Sequence, residues 1–212
     1  MVAQSPRVVN SVHGEAMTRP EWLAERIAEM GRSWGTETPR VAGTLWWCMV
    51  ASALVEQLAR AYVDGVPAPV PALDRLDCEV RPDGGVERVR VLPGTESADA
   101  AAPALRATLE AVIPAVAEVS GAGVASLWAV TADAIGNRAL DAGDAAAGVR
   151  LAREVGGKLP APRFVEVGAR TFVRRISCCL VFEAPGCDMC TSCPKRPAEE
   201  RLSMLRELAG GD

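Results

Sequence analysis

The sequence predicts a helix-rich α+β fold, with a small antiparallel sheet or hairpins and a cysteine-rich C-terminal segment. Apolar residues recur at helical spacing in several stretches of the first 155 residues, which predicts a helical body. Two short runs rich in alternating β-branched residues flank Pro82-Asp-Gly-Gly85, which predicts a β-hairpin. Five of the seven cysteines fall between positions 178 and 193. We therefore divide the chain into a mainly helical body, residues 1–162, and a C-terminal segment, residues 163–212, packed on it.

The composition predicts a folded, acidic protein that stays in the cytoplasm. Hydrophobic residues make up 49% of the chain and charged residues 24%, as in ordinary globular domains. The net charge of -4 argues against a nucleic-acid binder, because phosphate affinity depends on clustered lysine and arginine. The N-terminus lacks the continuous apolar core of a secretory signal. The longest uncharged run, Val41 to Val55, is shorter than the roughly 20 residues that span a bilayer, so we expect no stable membrane insertion.

The first helices are placed by their start and stop signals. Thr18-Arg-Pro-Glu21 fits a capping box with proline in the first turn, which predicts that a first helix begins here. A second helix is predicted from about Val41 to Val63 and ends at Gly65. Its apolar residues are too numerous for a narrow stripe. We expect it to be the core helix.

The rest of the chain predicts further helices and short strands. Residues 101–139 predict two helices, with breaks near Pro114 and at Gly121 to Gly123, and residues 145–155 predict another. Residues 170–186 predict one or two strands that lead into a turn at Pro185-Gly186. A last helix is expected from Pro197 through Leu208.

The C-terminal cysteines are too dense to be ordinary core residues, and they predict a bound metal group. Cys190 and Cys193 form a Cys-x-x-Cys pair, which presents two thiolates from one tight loop. Cys178 and Cys179 are adjacent. Neighbouring side chains on a strand point to opposite faces, so both can be ligands only if the backbone bends there. Four thiolates can hold zinc or an iron-sulfur cluster, and the doublet favours iron-sulfur.

The histidine content excludes one kind of iron-sulfur centre. A Rieske centre needs two histidine ligands, whereas the chain has one histidine, His13, in an N-terminal segment that we expect to be mobile. Cys48 lies in the predicted core helix and Cys78 in a predicted strand. We expect both to be small buried residues, because free cysteine is among the most buried residue types.

The cysteine spacing resembles a known family. The order Cys178-Cys179, ten residues, Cys190, two residues, Cys193 is similar to the C-terminal signature of the FhuF-like ferric-siderophore reductases, as are the arginines before the doublet and the Pro-Gly turn in the spacer. The resemblance implies that these four cysteines hold a 2Fe-2S cluster that reduces ferric iron in a siderophore complex. Cys187 departs from the minimal pattern; we expect it to be a non-ligand, with replacement of one of the four as the alternative.

The resemblance also implies partners. The substrate is expected to be a ferric siderophore of hydroxamate or mixed type, bound by the helical body without becoming a cluster ligand. No dinucleotide or flavin motif is recognised in the sequence, so the expected electron donor is external, such as a ferredoxin or a flavin reductase. Arg174, Arg175 and Trp128 are the candidate docking residues for substrate or donor.

Two other functions remain open from the residues alone. One is a non-catalytic iron-sulfur redox sensor, in which loss of the cluster rearranges the chain. The other is a zinc-stabilised interaction protein, because four cysteine ligands suit zinc as well as iron-sulfur.

Overall fold

The computed structural model describes residues 10–210. It confirms the α+β class, with five helices in the body, a three-stranded sheet, a two-stranded sheet and a C-terminal helix. The helices are α1 Pro20–Trp34, α2 Pro39–Asp64, α3 Ala101–Ser120, α4 Val124–Asp141, α5 Ala145–Val155 and α6 Ala198–Gly210. The strands are β1 Asn10–His13, β2 Leu76–Val80, β3 Val86–Val91, β4 Phe164–Val167 and β5 Arg170–Val173.

Helix α2 is the centre of the body, as predicted. It contacts α1, α3, α4, α5 and β3, so nearly every side of it is covered by protein. Trp46 and Trp47 are fully buried, and each indole keeps a hydrogen-bond partner. The Trp46 N–H donates to the carbonyl of Gly84 at 3.0 Å and the Trp47 N–H to that of Leu127 at 2.9 Å, which avoids the cost of burying an unpaired donor.

Two helical stretches are long and apolar enough to cross a membrane, but both pack against other parts of the protein. They are Pro39–Asp64 and Ala98–Ser120, with 72% and 44% of their most apolar windows buried inside the fold. The first is the core helix α2. Its hydrophobicity on all sides is the pattern of a helix enclosed by a protein core.

The three-stranded sheet contains the predicted hairpin and one strand that the sequence did not indicate. Strands β2 and β3 pair antiparallel around the Pro82 to Gly85 turn, as predicted, and β1 adds to the other edge of β2. His13 lies in β1 opposite Asp77, so the expectation of a mobile segment at His13 is wrong. Residues 1–9 lie outside the described part of the chain.

Two local signals for helix ends were misleading. The capping box at Thr18 does not form, because α1 is capped by Arg19 without a side-chain hydrogen bond and the Thr18 hydroxyl donates to the carbonyl of Glu15. The predicted break at Pro114 is also absent, because α3 continues through it to Ser120. The chain turns instead at Gly121, whose φ of 73° is a left-handed conformation that glycine adopts without strain.

The C-terminal segment packs on the body through α4 and α2. Strands β4 and β5 form an antiparallel hairpin, and β5 contacts α4. At Gly136 of α4 an added Cβ would lie 2.9 Å from Cβ of Pro162, so the small residue permits this close approach. The extended chain predicted for residues 170–186 continues only to Val173. Residues 174–197 then form irregular backbone with one short 3-10 turn, Val181–Glu183.

Candidate metal centre

Four cysteine thiols of the C-terminal segment form two pairs. The Sγ atoms of Cys178 and Cys193 are 3.6 Å apart. The Sγ atoms of Cys179 and Cys190 lie 3.5 and 3.6 Å from the same guanidinium nitrogen of Arg175, and the two thiols shift each other's pKa. Within residues 10–210, no group of three or more His, Cys, Asp or Glu side chains is arranged to hold one metal ion. Each pair joins one cysteine of the doublet to one of the Cys-x-x-Cys motif.

The backbone around the doublet bends, as the sequence predicted for two adjacent ligands. The chain bends at Ile176 and Ser177, and Leu180 has a φ of 63°, the one positive value among the described non-glycine residues. This left-handed conformation is costly for leucine. The Leu180 N–H itself donates to Cys178 Sγ at 3.4 Å, and the backbone N–H of Val181 is near enough to the Cys179 thiol to lower its pKa.

The two-pair arrangement fits a cluster of two irons. A tetrahedral metal with bonds of about 2.3 Å to sulfur separates its sulfur ligands by about 3.8 Å, close to the 3.6 Å between Cys178 and Cys193. A 2Fe-2S cluster takes four cysteine thiolates, two for each iron. Cys178 with Cys193 would hold one iron, and Cys179 with Cys190 the other. The backbone amides that donate to sulfur would help to set the reduction potential.

A buried arginine lies against the second pair. The Arg175 Nη1 atom is 3.5 Å from Cys179 Sγ and 3.6 Å from Cys190 Sγ. Its Nε lies 3.7 Å from a carboxylate oxygen of Asp133, and the Arg175 side chain is largely buried. The guanidinium therefore brings a positive charge to the sulfurs from a fixed position.

Asp133 joins the site to the helical body. It lies on α4, is 2% exposed, and accepts hydrogen bonds from the backbone N–H groups of Ile176 and Ser177 at 2.8 to 3.1 Å. Burial raises the pKa of its carboxyl, while these amides and Arg175 act in the opposite direction. One carboxylate thus anchors both the bend before the doublet and the arginine that contacts the sulfurs.

The two thiols of the doublet, Cys178 and Cys179, differ in pKa. The hydrogen bond from Cys190 and the nearby Arg175 lower the pKa of Cys179 to about 5, although burial opposes this. Burial instead raises the pKa of Cys178 to about 11, and the hydrogen bond with Cys179 raises the pKa of Cys190. Without metal, Cys179 is therefore the thiolate of the doublet at neutral pH.

Metal-free protein should accordingly be alkylated first at Cys179. Its thiolate is present above a pH of about 5, so its rate of carbamidomethylation should be near its plateau at pH 7, where Cys178 reacts slowly. Peptide mass spectrometry after timed iodoacetamide pulses measures both rates. Cys190→Ala should shift the Cys179 profile to higher pH, because it removes the largest cause of the low pKa. Equal reactivity of Cys178 and Cys179 at pH 7 would contradict this description.

Arg175 should raise the reduction potential of the bound cluster. The reduced form carries one more negative charge, which a cation near 5 Å stabilises by about 3 kcal/mol at an effective dielectric of 20. Arg175→Gln should therefore lower the midpoint potential, by on the order of 100 mV for one electron. Arg175→Lys should recover part of the shift. Redox titration followed by visible absorbance checks this, and an unchanged midpoint in Arg175→Gln would exclude the charge effect.

The candidate docking residues occupy different places. Arg174 is exposed, and its backbone N–H pairs with the carbonyl of Arg163, so a docking role remains a prediction for it. Arg175 faces sulfur and Asp133 rather than solvent. Trp128 is 3% exposed in the hydrophobic core. The prediction that Trp128 contacts the substrate is therefore corrected, because it has almost no surface on which a complex could lie.

The other cysteines are outside the two pairs. Cys187 is half-buried in the turn after the 3-10 helix, where its N–H donates to the carbonyl of Ala184 at 3.2 Å. Cys78 is fully buried in β2, as predicted. Cys48, on α2, is half-buried and close enough to Arg175 and Cys179 to interact with their charges. The sequence did not predict that Cys48 lies near the site, because Cys48 is far from the other site residues along the chain.

Two clefts reach the cysteine pairs from different sides. One of about 330 Å³ reaches Cys179 and Arg175 between α2 and α4, with Trp34, Met49 and Asn137 in its wall. The other, of about 410 Å³, reaches Cys178 beside the start of α4. The site is therefore approachable from two sides.

The comparison with protein families identifies the segment that carries this site. Residues 175–195 match the family model described as the FhuF 2Fe-2S C-terminal domain. The match begins at Arg175 and includes all four paired cysteines. No curated protein matches the chain. The segment 175–195 is thus similar to the FhuF 2Fe-2S C-terminal domain, as its cysteine spacing predicted, and this match supports a 2Fe-2S cluster as the cofactor.

Proposed function

We propose that this protein is a ferric-siderophore reductase, with Cys178, Cys179, Cys190 and Cys193 as the ligands of its cluster. The observation that carries the proposal is the match to the FhuF 2Fe-2S domain, and the arrangement of its four thiols in two pairs supports the proposal. An iron-sulfur redox role follows from the domain itself. The ferric siderophore is the substrate that the family resemblance favours.

The reaction is a transfer of one electron. Siderophores bind Fe(III), a hard cation, through oxygen donors, and the lower charge of Fe(II) weakens that binding. When bound, the 2Fe-2S cluster supplies the one-electron redox step. Fe(III) in the chelate gains that electron and becomes Fe(II), which the oxygen donors release. An external one-electron donor, such as a reduced ferredoxin or a flavin reductase system, then returns an electron to the protein. The proposed reaction takes place in the cytoplasm.

The chain's own residues keep the site close to its surface while holding it in place. Cys178, Cys179 and Cys190 are only partly buried, whereas Cys193 is 1% exposed. A docked complex can therefore approach the first three cysteines without entering the ligand set. Asp133 of α4 holds the cysteine segment through the backbone amides of Ile176 and Ser177. This anchoring limits movement of the cysteine ligands when the charge of the cluster changes.

Turnover with a defined donor tests the function. Anaerobic protein is supplied with reduced ferredoxin and a ferric hydroxamate siderophore, and a ferrous chelator reports the Fe(II) formed. We expect ferrous chelate to form at a rate proportional to the cluster-loaded protein. Cys193→Ser, which should lack the cluster, is the matched control. Equal rates for the two proteins, or no rate above donor alone with several siderophores, would exclude the reductase.

A further inference from the structure

The cleft beside Cys178 lies between the helical body and the FhuF domain. It has a volume of about 410 Å³ and is lined by residues from the first turns of α2 and α4 and from the cysteine segment. Its polar lining consists of Arg40, Thr44, Ser126, Ser177 and Lys195. Each region alone supplies only one cation: Arg40 comes from the body, and Lys195 from the end of the matched domain.

Two cationic side chains share one carboxylate at this cleft. Both cations form ion pairs with the carboxylate of Glu183. Arg40 Nη2 lies 2.6 Å from one carboxylate oxygen, and Lys195 Nζ lies 3.6 Å from the other. Among the described residues, the lining contains no aspartate or glutamate. Arg40, Lys195 and Glu183 together carry an excess of one positive charge, which partly offsets the negative charge that a cluster with four thiolates adds. The side chains of Arg40 and Lys195 are 44% and 50% exposed, so each has donors free for a ligand.

The cleft at the Cys179 side is different in character. Its cation, Arg175, is already engaged with Asp133 and with two cysteine sulfurs. Apolar side chains such as Leu45, Met49 and Val130 form much of its remaining wall. Only the Cys178 side offers cations that are both solvent-accessible and incompletely neutralised. An anionic ligand should therefore distinguish between the two sides.

We propose that the Arg40–Lys195 cleft binds an anionic ferric chelate, one whose siderophore carries free carboxylates besides its iron-binding oxygens. The carboxylates pair with Arg40 and Lys195, and the iron-bearing end of the chelate lies next to Cys178. This rests on the proposed function and deepens it, because it assigns a substrate class and a docking position. A cleft of this size lies within the usual range of small-molecule sites and holds part of the chelate, with the rest exposed.

Binding is measured with complexes that cannot be reduced. The Ga(III) complex of a carboxylate-bearing hydroxamate siderophore and that of a neutral trihydroxamate are titrated into the cluster-loaded protein by calorimetry. We expect the anionic complex to bind at least tenfold more tightly, with an affinity that falls as salt rises. In R40Q/K195Q, the anionic complex should bind on the order of 100-fold more weakly, since each charged hydrogen bond contributes about tenfold, while binding of the neutral complex changes little.

A matched control removes the same number of positive charges from surfaces outside the cleft. Arg60 lies on α2 about 30 Å from Arg40 at 1.5 Å per residue, and Arg88 lies on β3; both are exposed and paired with acids. R60Q/R88Q should bind the anionic complex as wild type does. Unchanged cluster absorbance in R40Q/K195Q verifies that the site is intact. Wild-type affinity in R40Q/K195Q, equal loss in both double variants, or equal affinity of wild type for the two complexes would overturn the proposal.

The kinetics separate failure of this proposal from failure of the reductase. If R40Q/K195Q reduces the anionic Fe(III) complex with the kcat/KM of wild type, the reductase stands and the cleft is not its docking site. If wild type reduces no ferric complex but binds the anionic Ga(III) complex through Arg40 and Lys195, the reductase fails and the anion site stands.

Discussion

Replacing Cys193 by serine should abolish retention of the cluster, whereas replacing Cys187 should leave it in place. Cys193 is buried and pairs with Cys178 at 3.6 Å, so its loss leaves one iron with a single thiolate. Serine is a poor substitute for the soft thiolate ligand. Cys187 is outside both pairs. Wild type and Cys187→Ser should contain two irons and two sulfides per chain, and Cys193→Ser less than about a tenth of that.

Iron and acid-labile sulfide analysis after anaerobic purification measures this, with the visible spectrum as a second readout. The two variants make the same chemical change six positions apart, so Cys187→Ser controls for the substitution itself. Circular dichroism should show that the helical body remains folded in both. Full iron in Cys193→Ser, or loss of iron in Cys187→Ser, would show that the ligand set differs from the two pairs.

Replacing Asp133 by alanine should detach the cysteine segment from the body. Asp133 accepts three backbone hydrogen bonds and faces Arg175, all in a buried position. Alanine would leave two amides and one guanidinium without their partner. Removing one member of a buried pair typically costs about 3 to 5 kcal/mol. We expect a loss of that size in the free energy of unfolding and faster loss of iron to a chelator.

Asp141 is the matched control on the same helix. It is 68% exposed and forms an ion pair with Arg138 at 3.6 Å, so Asp141→Ala should cost less than about 1 kcal/mol. Asp133→Asn provides an intermediate test, because its single oxygen can accept fewer amides. Urea unfolding and the half-life of the visible absorbance under a chelator measure the series. If Asp133→Ala has the same free energy of unfolding and the same rate of iron release as Asp141→Ala, Asp133 does not anchor the cysteine segment.

Sequence identified the cysteine motif because its parts are close together in the chain. The doublet, the Cys-x-x-Cys pair and the Pro-Gly turn fall within one short segment, and the bend at Ser177 follows from the need for adjacent residues to diverge. The core helix was equally clear, because apolar residues on all sides require burial. Both predictions depend on local chemistry, which the order of residues carries directly.

The residues that join the site to the body were not predictable in this way. Asp133 is more than 40 positions from the amides that it binds, although a lone carboxylate within the apolar Trp128 to Ile135 stretch was a signal of a buried partner. Arg40 and Cys48 reach the cysteine segment only through tertiary packing. The strand β1 was missed because its pairing with β2 is equally nonlocal. Side-chain patterns cannot specify such contacts without a three-dimensional framework.

A single-turnover experiment measures whether the reduced cluster passes its electron to a ferric siderophore. Cluster-loaded protein is reduced with dithionite under argon, freed of excess reductant, and mixed with a ferric hydroxamate siderophore and a ferrous chelator. Visible and EPR spectra follow the cluster while the chelator reports Fe(II). We expect the EPR signal of the reduced cluster to disappear as one Fe(II) forms per cluster. A signal that persists while no Fe(II) forms with any of several ferric siderophores would contradict it, and so would freshly purified protein with stoichiometric zinc and no visible absorbance.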